Sequence, residues 1–432
     1  MRADQEILFD LGPLGDTIIG HDIYSPVHLR YTVDLDHVID DKLIKQAWDT
    51  TKRVYPIIDA LLMLVHDKSY YMARQEDQND PCFREHVYLV KATDGSNDPV
   101  KSKVPIRPET DIVGNRVVCI SYFDKTVSIS CYHTLLDGTG MSMVFRTFLY
   151  EYLALYTGHR DEHPIVELEE GRSLEQYYMS ARELIMESLD DYTPQPLYML
   201  PFDTTGFIDK DMRNEMGPHG PEVSFGSIRV PSKDFMSLCK RNGANPSAML
   251  CTLLAKALYE LNPDEERDAV FELTISTRKL FGCERSISNH VSTAMAYTSR
   301  KDIETGSLAD ASRKIRADIS SQRGRDYEIS LKRTNNMYRC DKRFANLVVT
   351  YIGTFSIGDN DEHIKDFRMG TFANTNLYCM GVGDEFILML QYGVGTQKYL
   401  DAFIGIFKEL GIEARMNVAA RTVDYDVLTP VL

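Results

Sequence analysis

Between Pro194 and Pro221 the chain carries Pro194, Pro196, Pro201, Gly206, Gly217, Pro218, Gly220 and Pro221. Proline removes a backbone donor and fixes φ, and glycine costs backbone entropy, so neither a helix nor a central strand runs through such a stretch. The segment reads as a crossover, and it cuts the 432 residues into two parts of similar length. The expected organisation is an N-terminal lobe at 1–195, a linker at 196–221 and a C-terminal lobe at 222–432. A chain of this length suits two ordinary domains or one bilobal unit.

Each part mixes strands and helices. In the first, "VHLRYTVDL" alternates as a strand does, and "DDKLIKQAWDTTKRVYP" gathers Leu43, Ile44, Ala47 and Trp48 on one helical face. "NRVVCISYF" and "KTVSISCYH" predict a hairpin turning at Asp124-Lys125. In its second strand Val127, Ile129, Cys131 and His133 share one face, while Ser128, Ser130 and Tyr132 share the other. "SMVFRTFLYEYLALYTG" then carries Phe145, Phe148, Leu149, Tyr152, Leu153 and Tyr156 as a broad apolar stripe, with Gly158 as its stop.

In the second part "VSFGSIRV", "AVFELTIST", "NLVVTYIGTF" and "EFILMLQYG" predict strands. Helices are expected after Ser232 as N-cap, after Asn245-Pro246 as N-cap and N1, after Ser307, and over "QKYLDAFIGIFKELG". Strands and helices follow no regular βαβα alternation. The expected class is therefore α+β, with a mixed sheet packed by helices in each lobe.

One string stands out at a strand-to-helix junction: "CYHTLLDGTGMS", with His133, Asp137 and Gly138. A metal site needs a third ligand near His133 and Asp137, and none is marked, so no metal is expected there. No Gly-x-Ser-x-Gly elbow, P-loop or dinucleotide fingerprint occurs. Taken alone, the string is equally a turn histidine, an N-cap aspartate and a glycine of convenience.

The surrounding order of segments resembles the condensation-domain and chloramphenicol-acetyltransferase-like superfamily, closest to its alcohol-acetyltransferase-like branch. "SISCYHTLLDGTGMSMVFRTFLYEYLALYTG" is similar to that family's active-site strand, His-x-x-x-Asp-Gly loop and helix. "SPVHLRYTVDLDHVIDDKLIKQAWDTTKRVYPIIDALL", "GANPSAMLCTLLAKAL", "VFELTISTRKLFG" with "SISNHVST", and "NLVVTYIGTF" resemble its other landmarks in the right order. The last resembles the late strand that crosses between lobes. Tyr132 stands where many peptide-forming condensation domains have a second histidine, and a plant-type Asp-Phe-Gly-Trp-Gly segment is absent.

The resemblance implies two similar lobes with an active-site tunnel between them, and transfer of an acyl group from a thioester to an alcohol or amine. His133 would be the general base, a task that suits a neutral imidazole. Asp137 would be structural and paired with Arg278. Gly138 would let the backbone approach the reacting centre and offer its amide to the oxyanion, and Asn289 would add a donor. His290, beside it, is read as incidental. No tightly bound cofactor is implied. Acyl-coenzyme A is the preferred donor, with an acyl or peptidyl carrier protein as the alternative, and the acceptor is a small molecule. A non-catalytic binding protein on the same fold is the reading from another class.

The formal net charge of −16 argues against nucleic acid and anionic lipid as partners. One basic stretch departs from it, with Arg313, Lys314, Arg316, Arg323, Arg325, Lys332, Arg333, Arg339, Lys342 and Arg343, which suits either a solvated helix face or the phosphates of coenzyme A. The eight cysteines are scattered, without Cys-x-x-Cys or zinc spacing, as in a reducing compartment. No run reaches the roughly 20 apolar residues of a membrane span, and a cytoplasmic protein is expected.

Overall fold

The computed structural model describes residues 7–10, 28–59, 61–65, 69–73, 89–92, 118–132, 136–170, 216–217, 220–221, 223–280, 282–287, 290–322, 347–371, 376–392 and 395–423. Two mixed sheets frame them. The first half of the chain supplies β1 (His28–Leu35), β2 (Leu89–Lys91), β3 (Val118–Phe123) and β4 (Thr126–Tyr132). The second half supplies β5 (Val223–Pro231), β6 (Ala269–Ser276), β7 (Val291–Thr298), β8 (Leu347–Phe355), β9 (Ile364–Thr371), β10 (Asn376–Val382), β11 (Glu385–Tyr392) and β12 (Arg415–Val423).

The five-stranded sheet has the order β9-β1-β4-β3-β2, with only β2 and β3 parallel. The seven-stranded sheet has the order β7-β6-β8-β10-β11-β5-β12, parallel where β6 meets β8 and β8 meets β10. Thus β9, from the second half, is an edge strand of the first lobe's sheet. The register pairs Phe367 with Val33 and Met369 with Tyr31. The strand β8 also passes between lobes: Leu347 and Val349 lie in the second lobe's core, and Phe355 in the first lobe's.

Helices cover the sheets. They are α1 (Asp41–Val54), α2 (Gly138–Thr157), α3 (Ser232–Arg241), α4 (Pro246–Leu261), α5 (Arg300–Glu304), α6 (Leu308–Ser321) and α7 (Thr396–Glu409). The period-two pattern explains how α1 and α2 seat. Leu29, Tyr31, Val33, Val127, Ile129 and Cys131 are buried in one core with Ile44, Trp48, Phe145, Phe148 and Leu149. Trp48 meets Phe148 edge-on, with ring centroids 5.8 Å apart. Burying each such side chain contributes about 1.5–3 kcal/mol. The opposite face of the same strands is polar and hydrogen-bonded: Thr32 Oγ1 and Ser128 Oγ are 2.8 Å apart, and Arg30 Nε donates to Ser130 Oγ at 2.9 Å.

Local signals act as read at most ends. Asn245 and Ser307 accept hydrogen bonds from first-turn amides of α4 and α6, and Gly158 ends α2 at φ 72. Asp40 caps α1 in the same way. The β3–β4 turn places Asp124 at φ 50. Ser232 departs from expectation: it is the first helical residue of α3, behind Pro231, and no side chain caps that end. Helix α2 begins at Gly138, four residues before the expected segment that opens at Ser142, because Asp137 caps Gly-Thr-Gly into the first turn. Of the expected linker, Met216–Gly217 and Gly220–Pro221 pair as short strands, and residues 196–215 lie outside the described residues.

Candidate active site

The end of β4 and the start of α2 bracket the candidate motif. His133 itself, with Thr134 and Leu135, lies outside the described residues, as does Asn289. The description resumes at Leu136, which is buried in the first core, and at Asp137, the N-cap.

Asp137 is completely buried, and the structure brings Arg278 to it from the turn after β6. The pair is bidentate: Arg278 Nη1 donates to Oδ2 and Nη2 to Oδ1, both at 2.7 Å. Two backbone amides complete the shell. Gly140 N donates to Oδ1 at 2.8 Å and His290 N to Oδ2 at 2.9 Å. Burial by itself would raise the Asp137 pKa, but the Arg278 charge, its N–H donors and these two amides outweigh it and hold the carboxyl below its usual range. A carboxylate with four donors on it is a poor proton acceptor and a poor metal ligand. It is, however, a precise tether, since its donors come from both lobes.

Arg278 is itself held. Its Nε donates to the Ser286 carbonyl at 2.7 Å, and its own carbonyl accepts from Cys283 N at 2.9 Å. His290 is not incidental, contrary to its sequence reading. Its side chain is buried with Nε2 2.8 Å from Ser286 Oγ, and its carbonyl accepts from both Thr277 N and Thr277 Oγ1. The loop from Arg278 to His290 is thus closed on itself before it reaches Asp137.

The first turn of α2 is packed tightly against that loop and against β1. The Tyr31 hydroxyl donates to the Gly138 carbonyl at 2.7 Å. Burial first, then the Asp137 charge, push the Tyr31 hydroxyl up, so it remains a donor. A Cβ at Gly138 would stand 2.9 Å from Tyr31 Oη and 3.4 Å from Ile352 Cδ1. Gly140 tolerates less still: a Cβ there would lie 1.8 Å from the Ile287 carbonyl oxygen. The second glycine of "DGTG" is the signal that Gly140 mattered, and Tyr31 and Ser286 carried no local signal.

The basic stretch is described only for Arg313, Lys314 and Arg316, which are engaged locally with Asp310, Asp302 and the Gly243 carbonyl. Arg323, Arg325, Lys332, Arg333, Arg339, Lys342 and Arg343 lie outside the described residues. The described cysteines form no disulfide with one another, and among the described residues no helix is long and apolar enough to cross a membrane.

No family model and no curated protein matches this chain by sequence. Solved structures do match by shape. The epimerization domain from the third module of tyrocidine synthetase B superposes with a TM-score of 0.66 at 12% identity, over 94% of this chain and 97% of that one. TRI101 of F. graminearum, in complex with coenzyme A and T-2 mycotoxin, gives 0.63 at 13% identity, over 95% and 100%. The trichothecene 15-O-acetyltransferase TRI3 of Fusarium sporotrichioides gives 0.62 at 9% identity, over 90% and 93%. The fold is the two-lobed one that these epimerization, condensation and acetyltransferase structures share. Near-complete coverage of both chains means that the whole architecture is shared, and not one lobe of it.

Proposed function

We propose that this chain is an acyltransferase that moves an acyl group from a thioester to an alcohol or amine. The observation that carries the reading is the buried Asp137–Arg278 pair, which pins the turn four residues after His133 to the second lobe. Its support is the fold, which solved proteins named as an O-acetyltransferase and as a coenzyme A complex share.

His133 is the general base. Its neutral imidazole takes the proton of the acceptor O–H or N–H as that atom attacks the thioester carbonyl. The tetrahedral adduct collapses with loss of the thiolate, and the imidazolium returns the proton to sulfur. A positioned base of this kind contributes about 10²–10⁴-fold. Asp137 is structural: it fixes the loop through Arg278 and takes no proton. Gly138 opens α2, where first-turn N–H groups lack intrahelical acceptors, and we assign its amide to the developing oxyanion. Asn289 adds a second donor.

Acyl-coenzyme A is the preferred donor, and a small molecule the acceptor, both entering a tunnel between the lobes. The lobes are 1–195 and 222–432 joined through 196–221, and the second lends β9 to the first. The scattered cysteines suit the cytoplasm. A carrier-protein thioester is the second reading, favoured by the shared shape of a peptide-synthetase domain.

Thiol release from pooled acyl-coenzyme A and acyl-carrier donors, against a panel of alcohols and amines, tests all of this. Product masses would name the donor and acceptor. Release with a coenzyme A thioester that falls at least 100-fold in His133→Ala is expected. No release from any donor, or a His133→Ala protein equal to the natural one, would leave a non-catalytic binding protein on this fold.

A further inference from the structure

Beyond the proposed active site, a second group of side chains gathers where α2 ends. After Gly158 the chain turns so that His159 Nε2 lies 3.3 Å from Asp359 Oδ2 and 3.9 Å from Asp161 Oδ1. The three ligand atoms all lie within 4.8 Å of one another. His159 and Asp359 are at the surface, 57% and 69% exposed, but the Asp161 side chain is only 7% exposed.

Asp161 is the informative member. Its Oδ2 accepts from Asp359 N at 3.2 Å, but its buried Oδ1 accepts no hydrogen bond. Among the described residues no lysine or arginine pairs with Asp161 or Asp359; Arg160, between the ligands in sequence, turns away to form a bidentate pair with Glu151 at 2.9 and 2.6 Å. The backbone has been shaped around this carboxylate. Gly358 sits at φ 104, and a Cβ there would stand 1.9 Å from Asp161 Oδ2. A carboxylate buried without a matching cation is costly.

We infer that His159, Asp161 and Asp359 form a divalent-cation site suited to zinc. The ligand set is one imidazole and two carboxylates, whose charge a divalent ion neutralises, with water as the fourth ligand. Ligands at about 2.0–2.2 Å around a tetrahedral ion lie about 3.4 Å apart, close to the 3.3 and 3.9 Å found here. The exposed His159 and Asp359 side chains close on the ion while Asp161 stays fixed. The ion clips the end of α2 to the Asp359–His363 turn that leads into β9. The neighbouring cluster of Asp36, His37 and His363 is different: both carboxylate oxygens are already engaged, by His37 Nδ1 at 2.6 Å and His363 Nδ1 at 3.0 Å.

Calorimetric titration of the chelator-treated full chain with zinc chloride tests the site. Expected is one ion per chain at this site, with affinity at least tenfold weaker in both His159→Ala and Asp161→Asn, and unchanged in Asp36→Asn. Asp161→Asn keeps an oxygen for the Asp359 amide, so the fold is retained, and zinc raises the thermal midpoint of the natural protein but of neither variant. Magnesium chloride binds at least tenfold more weakly than zinc, as an imidazole ligand requires. The inference is overturned if the natural protein takes up no zinc, if both variants bind it as the natural protein does, or if magnesium binds equally well.

Discussion

Asp137 and Arg278 join the lobes at one closed point, whereas Asp34, Arg368, Asp366, Arg229 and Glu385 join them along an open ladder. In the first, both side chains are within 4% of full burial, and the carboxylate meets two guanidinium and two amide donors. In the second, Arg368 pairs with Asp34 at 2.8 Å and Asp366 at 2.5 Å, and Arg229 continues to Asp366 at 2.5 Å and Glu385 at 3.0 Å. Arg415 extends it to Glu385 at 2.8 Å. The ladder's carboxylates keep partial access to water, and most of its members have two partners. Losing Arg229 or Asp366 leaves the other members paired. Losing one member of the closed pair leaves a bare charge in the interior, where solvation cannot replace it. The closed pair is therefore the brittle one, and it is the one beside the candidate active site.

The largest effect is expected at Asp137→Ala, which strands Arg278 and should cost about 3–5 kcal/mol in urea unfolding. His133→Ala should leave that midpoint unchanged, so equal destabilisation by the two would erase the distinction between tether and base. The pair also has an acid signature. The folded Asp137 pKa lies below its unfolded value near 3.8, so the stabilisation is complete above that pH and is lost as pH falls through the folded value. Asp137→Asn should lack this contribution, and its urea midpoint should fall less than that of the natural protein below about pH 4.

Next comes Gly140→Ala. Its methyl meets the Ile287 carbonyl, and the loop must shift at a cost of about 1–3 kcal/mol. If the loop holds Gly138 in register, thiol release should drop as well. Tyr31→Phe removes the bond to the Gly138 carbonyl and should cost about 1 kcal/mol by the same unfolding assay. The smallest effect belongs to the ladder: Arg229→Met should cost no more than about 1 kcal/mol, because Asp366 keeps Arg368 and Glu385 keeps Arg415. A larger loss there than at Asp137 would reverse the comparison.

Much of the frame was legible because it follows from short-range chemistry. The alternation over Val127, Ile129 and Cys131 names the buried face of β4, and the spacing of Phe145, Phe148 and Leu149 names the inner face of α2. Asn245-Pro246 and Ser307 declare helix starts within a few residues of themselves. Strand β9 was missed for an equally physical reason. In its "IKDFRMGT" only Phe367 and Met369 alternate with Asp366 and Arg368, and the irregular register between Ile364 and Asp366 puts Ile364 out of phase with them, so the alternation is too short to read as a strand. Strands β7, β10 and β12 went unread as well.

The sequence by itself determined the α+β class, the strand-to-helix junction where Asp137 caps α2, and Arg278 as the proposed partner through resemblance. Only the tertiary structure decided that four donors close on Asp137, that Gly140 has no room for a methyl, that His290 offers its amide, and that His159 and Asp161 meet Asp359. The reason is distance along the chain. Periodicity and capping act over one or two turns, whereas Asp137 and Arg278 are 141 residues apart and must be brought together by the two lobes before either charge can be buried.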